Sequence, residues 1–503
     1  MTQGPTSAAA SDHPAYETPS LTAAPGTALR LPDPRPLCVD LDGTLVKSDT
    51  LSDSLLILLR RKPAALPRLF SLVFQGKARF KQFVNSQVTL DVKRLPYNRP
   101  LLEYLKTEHS LGRKIHLATG ADGDVAQRVA AHLNIFSGVL ASDGEINLTG
   151  ANKLESLRNQ FPDEGFDYIG NATPDLPLLQ HAHQAMVANP QLTLRLRLRA
   201  RKLRIARQFN DSPPLWKALI KAARLHQWAK NTLIFLPLLL AHTLNLRGVV
   251  SALLAFFSFS FCASATYIVN DLLDIEADRA HPQKRFRPFA AGDLSVLTGV
   301  ITAVGLLLLA FAGLTQLPHQ FTLWILFYLL VTNAYSFGLK RIALVDVFVL
   351  SGLYTLRMLA GAAATETPIS HWLAGLSVFL FLSLAMVKRY SELQNLRARG
   401  AVPANGRGYL LVDMDQLRSF GTASAYSAVV IFSLYITGHE VEALYRHPAR
   451  MWLIDPLMLL WLSRVWLLAS RGEMDEDPVV FAVTDRMSIL IGIAVLIVAL
   501  LAL

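Results

Sequence analysis

The 503-residue chain is 52% hydrophobic and only 17% charged, against roughly 25% charged for an ordinary soluble protein, and its mean hydropathy of +0.32 excludes a disordered or collagen-like chain. Two cysteines, Cys38 and Cys262, exclude a disulfide framework and a multi-cysteine zinc cluster. The net charge of +11 would point to nucleic acid in a soluble protein; beside this apolar excess the expected anionic partner is a membrane surface, and no nucleic acid is expected.

Residues 1–34 are rich in Ser, Thr, Ala and Pro and carry no hydrophobic period. They read as a disordered tail, because no apolar core follows a basic start as it would in a signal peptide. Residues 35–190 read as a soluble α/β domain. The stretches LCVDLDGT, KIHLATGAD and FDYIGNATPD are short apolar strands that end in polar residues, the pattern of a parallel sheet whose ligand site lies at the carboxyl ends. Between the first two, residues 51–84 read as helical and as a cap over that site. Residues 191–215 read as a basic linker. Seven basic residues between Arg195 and Arg207 alternate with leucine, which suits either a solvated linker or last strand, or an electrostatic contact with the membrane.

From about residue 216 the chain turns apolar, and residues 216–503 read as an all-α membrane bundle. Nine segments of membrane-spanning length are expected: 228–246, 250–269, 294–315, 319–338, 344–363, 371–387, 419–438, 452–469 and 487–503. With the soluble domain inside, the inner loops hold fourteen Lys and Arg residues, from Arg279 to Arg486, and the outer loops only Arg247, Arg446 and Arg450. The positive-inside rule then predicts a multi-pass protein of the inner or plasma membrane, with the N-terminal domain cytoplasmic and the C-terminus on the opposite side.

Two acidic constellations carry chemistry. In the first, Asp40 and Asp42 end a strand two residues apart and so share a face. One can attack phosphorus while the other protonates the leaving oxygen. Thr119, ending the next strand, can hydrogen-bond a phosphate oxygen, and Lys153 can neutralise the charge shared by nucleophile and phosphate. This set, with Gly43 and Thr44, resembles the haloacid dehalogenase (HAD) superfamily over about 155 residues. The resemblance implies a Rossmann-like parallel sheet with a helical cap, Asp40 as nucleophile, Asp42 as acid/base, Thr119 and Lys153 as phosphate binders, and Mg²⁺ held with the help of Asp40, Asp42 and Asp175. Where that superfamily has an aspartate this chain has Asn171, which leaves a site one negative ligand short.

In the second constellation, Asp271, Asp274 and Asp278 follow Asn270 at the inner end of the second expected span, on one helical face. Like charges so spaced repel, unless Mg²⁺ gathers them and fills its other positions with phosphate oxygens. Lys284, Arg285 and Arg287 follow, as a diphosphate leaving group requires. Tyr335 and Lys340 precede Asp346. Arg357 lies inside a span, where an arginine either faces an anionic ligand or takes part in a structural ion pair. Lys388, Arg389 and Glu392 end the sixth span in the same compartment, as ligand contacts or as snorkelling anchors.

These residues resemble the UbiA-type intramembrane prenyltransferase superfamily over nearly all of 216–503, carried by N-D-x-x-D-x-x-x-D at 270–278 in an inner loop. HQWAKN, HPQKRFRP, YSFGLK and KRYSEL make it most similar to the polyprenyl-phosphate phosphoribosyltransferase branch. Leu350, four residues after Asp346, leaves incomplete the second aspartate pair common in users of prenyl diphosphates. The resemblance implies a Mg²⁺-dependent transferase that moves phosphoribose from phosphoribosyl pyrophosphate to a polyprenyl phosphate. Asp346 is expected to hold a second cation or a ribose hydroxyl, and because such a product keeps a 5-phosphate, the fused domain is expected to dephosphorylate it. The alternatives are transfer of a polyprenyl chain from its diphosphate to an aromatic acceptor, and a transporter or lipid-binding regulator with a degenerate phosphatase-like domain. No second copy of the 270–288 loop speaks for the transporter.

Overall fold

The computed structural model describes residues 35–503 except 74–76, 143–147, 243–244, 399–407, 439–443 and 475–477. The expected N-terminal tail lies outside these residues.

The soluble part begins with the buried strand β1 (Leu37–Val39). Four helices then separate it from β2: α1 (Thr50–Arg61), α2 (Leu66–Val73), α3 (Lys77–Gln87) and α4 (Arg99–Ser110). Asp49 starts α1 by accepting from the Ser52 amide, and Asn98 starts α4 ahead of Pro100, both ordinary N-terminal caps. Then come β2 (Ile115–Asp122), α5 (Gly123–Leu133), β3 (Gly138–Ser142), α6 (Ala151–Gln160), β4 (Asp167–Gly170), α7 (Leu176–His181), β5 (Ala185–Ala188), α8 (Leu192–Ala200) and β6 (Arg207–Phe209). All the strands pair in parallel, in the order β3-β2-β1-β4-β5-β6. In such a doubly wound sheet the ligand crevice opens at the carboxyl ends of the strands where the winding reverses, here β1 and β4.

The basic stretch is not a linker. Leu194 and Leu198, one helical turn apart, are buried, whereas Leu192 and Leu196 are exposed, so the leucines that alternate in sequence act as a helical stripe. The chain then adds β6 to the sheet edge, and the soluble domain runs to about residue 209.

Next follow α9 (Leu215–Ala223), a 3₁₀ segment over Leu225–Phe235, and α10 (Leu236–Leu240). The bundle proper has α11 (Leu246–Leu273), the short α12 (Ile275–Ala280), α13 (Val296–Leu314), α14 (His319–Phe337), α15 (Val345–Thr365), α16 (His371–Ala398) and α17 (Met414–Ile436), and closes with helices Ile454–Arg471, Pro478–Thr484 and Arg486–Ala502. Among the described residues six helical segments are long and apolar enough to cross a membrane: Leu246–Leu273, Val296–Leu314, Val345–Thr365, His371–Ala398, Leu411–Ile436 and Pro448–Arg471.

The expected count of nine is not reached. Segment 228–246 is no single α-helix, but it still runs the length of the bundle. Arg224, at its start, pairs with Asp271 near the end of α11, and Leu240 and Ala241 line a cavity with Asn245 from the beginning of α11. Backbone departing from α-geometry survives at that depth only when covered by protein. The cover is α15, where a Cβ on Gly361 would lie 2.1 Å from the Ile234 carbonyl oxygen.

A single apolar cluster joins the two domains. It continues from Leu37, Leu41 and Leu58 of the soluble part to Ala265, Leu272, Ile275, Phe289 and Leu294 beneath the acidic loop.

Candidate active sites

At the carboxyl ends of β1 and β4, Lys153 is the hub. Its Nζ donates to Asp40 Oδ1 at 2.8 Å and to the Tyr168 hydroxyl at 3.1 Å, and stands 3.6 Å from Asp175. Tyr168 donates onward to Asp175 Oδ1 at 2.8 Å. The other Asp175 oxygen accepts the Asn171 and Ala172 amides, each at 3.0 Å, so Asp175 fixes the loop that carries Asn171. Thr44 donates to Asp40 at 3.4 Å, and Asp42 accepts the Thr50 amide at 2.8 Å. Thr119 is buried, and its hydroxyl oxygen accepts the Ala121 amide at 3.0 Å.

Burial raises Asp40 to about 6 even against the Lys153 ammonium. Burial, with the Asp49 carboxylate, raises Asp42 to about 8. Burial alone would lower Lys153, but the Asp40 and Asp175 carboxylates outweigh it and hold the ammonium above its usual range.

Asn171 packs over Gly43, and its Oδ1 is buried without a hydrogen-bond partner among the described residues. An orphaned amide oxygen packed over the turn that carries Asp40 and Asp42 is a ligand that a hard cation accepts.

The second site lies where α11 ends. Asp271 and Asp278 are buried and share one cation: Arg287 Nη1 is 3.1 Å from Asp271 Oδ1 and 2.8 Å from Asp278 Oδ2. Arg224 also pairs with Asp271, and its guanidinium lies over the Tyr267 ring at 5.0 Å. Asp274 pairs with Arg60 of the soluble domain and stands 3.7 Å from Lys340. Asn270 is half-buried at the foot of α11.

Lys284 is partly exposed. Arg285 is exposed and lies over the Phe286 ring. Among the described residues no group of three or more His, Cys, Asp or Glu side chains is gathered closely enough to hold a metal ion. Arginine therefore takes up the repulsion expected between these carboxylates. The Arg287 nitrogen that bridges Asp271 and Asp278 stands where a cation would bridge them, so the fit is to these two carboxylates, while Asp274 is turned to Arg60 and Lys340.

Asp346 begins α15 fully buried. Arg389 pairs with both its oxygens, and Tyr335 donates to one of them at 2.7 Å. Arg389 also holds Glu392 at 2.7–2.8 Å, so it is a buried network member and no snorkelling anchor. Lys388, beside it, is partly exposed. Deeper in the bundle, Arg357 donates to Asn231 Oδ1 at 2.8 Å and to the Leu353 carbonyl. The Phe259, Tyr328 and Tyr354 rings surround it at 5.3–5.5 Å. Among the described residues no carboxylate pairs with it.

Sequence reasoning missed four participants: Tyr168, Arg224, Asn231 and Arg60. Asn231 ends the HQWAKN stretch, which carried a signal. Nothing local marks Arg60, which is 214 residues from its partner.

A soluble parallel α/β domain, fixed to an apolar helical bundle with a carboxylate–guanidinium site at the mouth next to that domain, defines an integral membrane protein of two parts. The family profile described as UbiA prenyltransferase matches residues 232–435. The chain is 37% identical over 459 residues to the uncharacterized protein y4nM of Sinorhizobium fredii, covering 91% of this chain and 89% of that protein. It is 38% identical over 230 residues to the decaprenyl-phosphate phosphoribosyltransferase of Mycobacterium tuberculosis, covering 44% and 76%. Among solved structures, a UbiA homolog from Archaeoglobus fulgidus bound to DMAPP and Mg²⁺ aligns with a TM-score of 0.42 at 16% identity, covering 56% of this chain and 98% of that one. The chain belongs to the UbiA prenyltransferase family of membrane transferases.

Proposed function

We propose that the membrane domain moves phosphoribose from phosphoribosyl pyrophosphate to a polyprenyl phosphate, and that the soluble domain then removes the 5-phosphate. The observation that carries this reading is the Arg287 bridge between Asp271 and Asp278, in a chain similar to a decaprenyl-phosphate phosphoribosyltransferase. Asp271, Asp274 and Asp278 would hold Mg²⁺, which when bound neutralises charge on the leaving diphosphate.

Arg224 and Arg287, released from the acids, bind phosphate oxygens together with Lys340. As the diphosphate departs with the bonding electrons, the anomeric carbon gains positive character and the polyprenyl phosphate oxygen bonds to it. That oxygen is already anionic, so the acceptor needs no strong base. It needs to be held and screened. Arg357, buried among rings without a carboxylate, serves the acceptor phosphate in this reading. Tyr335, Asp346, Arg389 and Glu392 keep the opposite wall of the mouth rigid. The basic inner loops are the reason to place this mouth and the soluble domain on the cytosolic side.

In the soluble site, an Asp40 oxygen attacks phosphorus, and the bond to the ribose 5-oxygen breaks as Asp42 protonates that oxygen. Water then cleaves the aspartyl phosphate, gives its proton back to Asp42 and releases inorganic phosphate. Lys153 and Thr119 steady the phosphoryl oxygens. Asp40, Asp42 and Asn171 would hold Mg²⁺, which screens nucleophile from phosphate, and Asp175 keeps the Asn171 loop and Tyr168 in place.

The test uses purified full-length protein with labelled phosphoribosyl pyrophosphate and polyprenyl phosphate. Wild type should form a lipid-linked ribose and inorganic phosphate. Asp40→Asn should accumulate the 5-phosphorylated lipid at an unchanged transfer rate. Transfer only from a prenyl diphosphate to an aromatic acid would reject the phosphoribosyl reading. Accumulation of the 5-phosphorylated lipid by wild type itself would reject the phosphatase role.

A further inference from the structure

The domains are docked through α1, which spans the distance from one acidic site to the other. At its start the Thr50 amide binds Asp42. One turn on, Asp53 accepts from Ser48 and from Arg279 of α12, each at 2.7 Å, in a pair shielded from water. Beside it, Lys47 donates to Asp293 and to the Asp211 carbonyl, each at 2.6 Å. Gly292, in left-handed geometry (φ +70), lies so close that a Cβ there would be 2.7 Å from Lys47 Cβ. The end of α1 reaches the membrane site: Arg60 donates to the Leu273 carbonyl at 2.9 Å and pairs with Asp274, and Arg61 pairs with Glu276 at 2.7 Å.

These contacts divide into two kinds. The Arg279–Asp53 pair, with side chains 6% and 0% exposed, fastens the domains. The Arg60–Asp274 pair, 31% and 27% exposed, stands open at the mouth of the site. Asp271 and Asp278 take their guanidinium partners from the membrane domain, whereas Asp274 takes its own from the soluble one. Open ion pairs between long side chains contribute little to docking. A guanidinium held beside a carboxylate that a metal–diphosphate would claim is, however, already placed to receive phosphate oxygens, which it binds through two parallel N–H groups.

We propose that Arg60 is a diphosphate-binding residue of the membrane site, supplied by the soluble domain. When the donor's diphosphate arrives with its cation and engages Asp274, the guanidinium passes from carboxylate to phosphate. The transferase site is complete only while the soluble domain is docked, and α1 ties that completion to the loop holding Asp42. The inference rests on the reading that this mouth binds the donor diphosphate.

The experiment measures, on full-length protein in detergent, binding of inorganic diphosphate in the presence of Mg²⁺, and the donor KM. Arg60→Ala should weaken diphosphate binding and raise the donor KM about 10- to 100-fold, the range for loss of a charge-assisted hydrogen bond. Arg60→Lys should recover part of the loss. Arg61→Ala, which removes a neighbouring contact of the same interface, should leave both constants near wild type. Unchanged or tighter diphosphate binding by Arg60→Ala overturns the proposal, the tighter case marking Arg60 as a plug. Equal losses in Arg60→Ala and Arg61→Ala overturn it in favour of docking alone. Wild type that binds no diphosphate overturns the underlying reading as well, whereas wild type that binds it, with Arg60→Ala indistinguishable, overturns this inference only.

Discussion

The two acidic sites solve the same electrostatic problem by opposite means. In the soluble domain one buried lysine serves Asp40 and Asp175, and Tyr168 forms a second link between that lysine and Asp175. Its acids lie at two adjacent strand ends, fixed by the sheet. In the membrane domain three carboxylates engage Arg224, Arg287, Arg60 and Lys340, cations gathered from distant parts of the chain. The first site is short of cations, and burial pushes its carboxyls upward. The second is rich in cations, as suits a ligand bringing several negative charges. On the proposed function, a site for one phosphoryl group and a site for a diphosphate would differ in that way.

The sharpest break in this comparison is Asp271→Asn. Loss of that carboxylate frees Arg224 and Arg287 and removes a cation ligand, so transfer should fall roughly 30- to 1000-fold, corresponding to about 2–4 kcal/mol of transition-state stabilisation. Release of phosphate from 5-phosphoribosyl lipid supplied to the same protein should be unchanged. A fall in both activities would show that the two sites do not work separately.

A smaller effect is expected from adding charge to the soluble site. Asn171→Asp restores a carboxylate where an amide oxygen now stands without a partner. Phosphate release should rise roughly 10-fold, with half-saturation at lower Mg²⁺, as one further charged ligand favours a hard cation. Transfer should not change. A slower phosphatase would show that the amide is needed as it is.

The two sites also differ in how far the sequence discloses them. Asp40 and Asp42 sit two apart on a strand end, and Asp271, Asp274 and Asp278 on one helical stretch, so local spacing brings them together. What spacing leaves out is long-range: Arg60 joins Asp274 only because α1 packs on α12, and Asn231 joins Arg357 only because the 3₁₀ segment runs beside α15. The same holds for the fold. The strands ending at Val39, at Asp122 and at Gly170 are legible from their apolar runs. The leucine–arginine alternation points to a linker or strand, whereas the burial of Leu194 and Leu198 one turn apart makes Leu192–Ala200 a helix, and only the following Arg207–Phe209 joins the sheet. The first apolar segment had the length of a spanning helix, yet a traverse covered by α15 did not require α-geometry.

The smallest expected effect concerns pH and belongs to the soluble domain alone. His116 on β2 is 7% exposed, neither ring nitrogen has a hydrogen-bond partner among the described residues, and its ring meets Phe161 at 5.0 Å. Burial, aided by the Lys114 ammonium, holds the imidazole below its ordinary value. The unfolded chain therefore takes up this proton at a higher pH than the folded one does. Stability from the neutral ring is fully present above the ordinary histidine value near 6.5 and is lost as pH falls from there toward the depressed folded value, by no more than about 1.4 kcal/mol per pH unit for one proton. Buried carboxyls with raised values, Asp40 and Asp42 among them, act in the other direction over the same range, so wild type alone does not isolate the histidine. His116→Leu does: it removes the proton and fills the place with an apolar group, which a site without hydrogen-bond partners tolerates. Between pH 7.5 and 5.5 the unfolding midpoint of the soluble domain in the full-length protein should drop further in wild type than in His116→Leu, by a few degrees. Parallel pH profiles would mean that the ring titrates alike in both states, having found a partner on protonation.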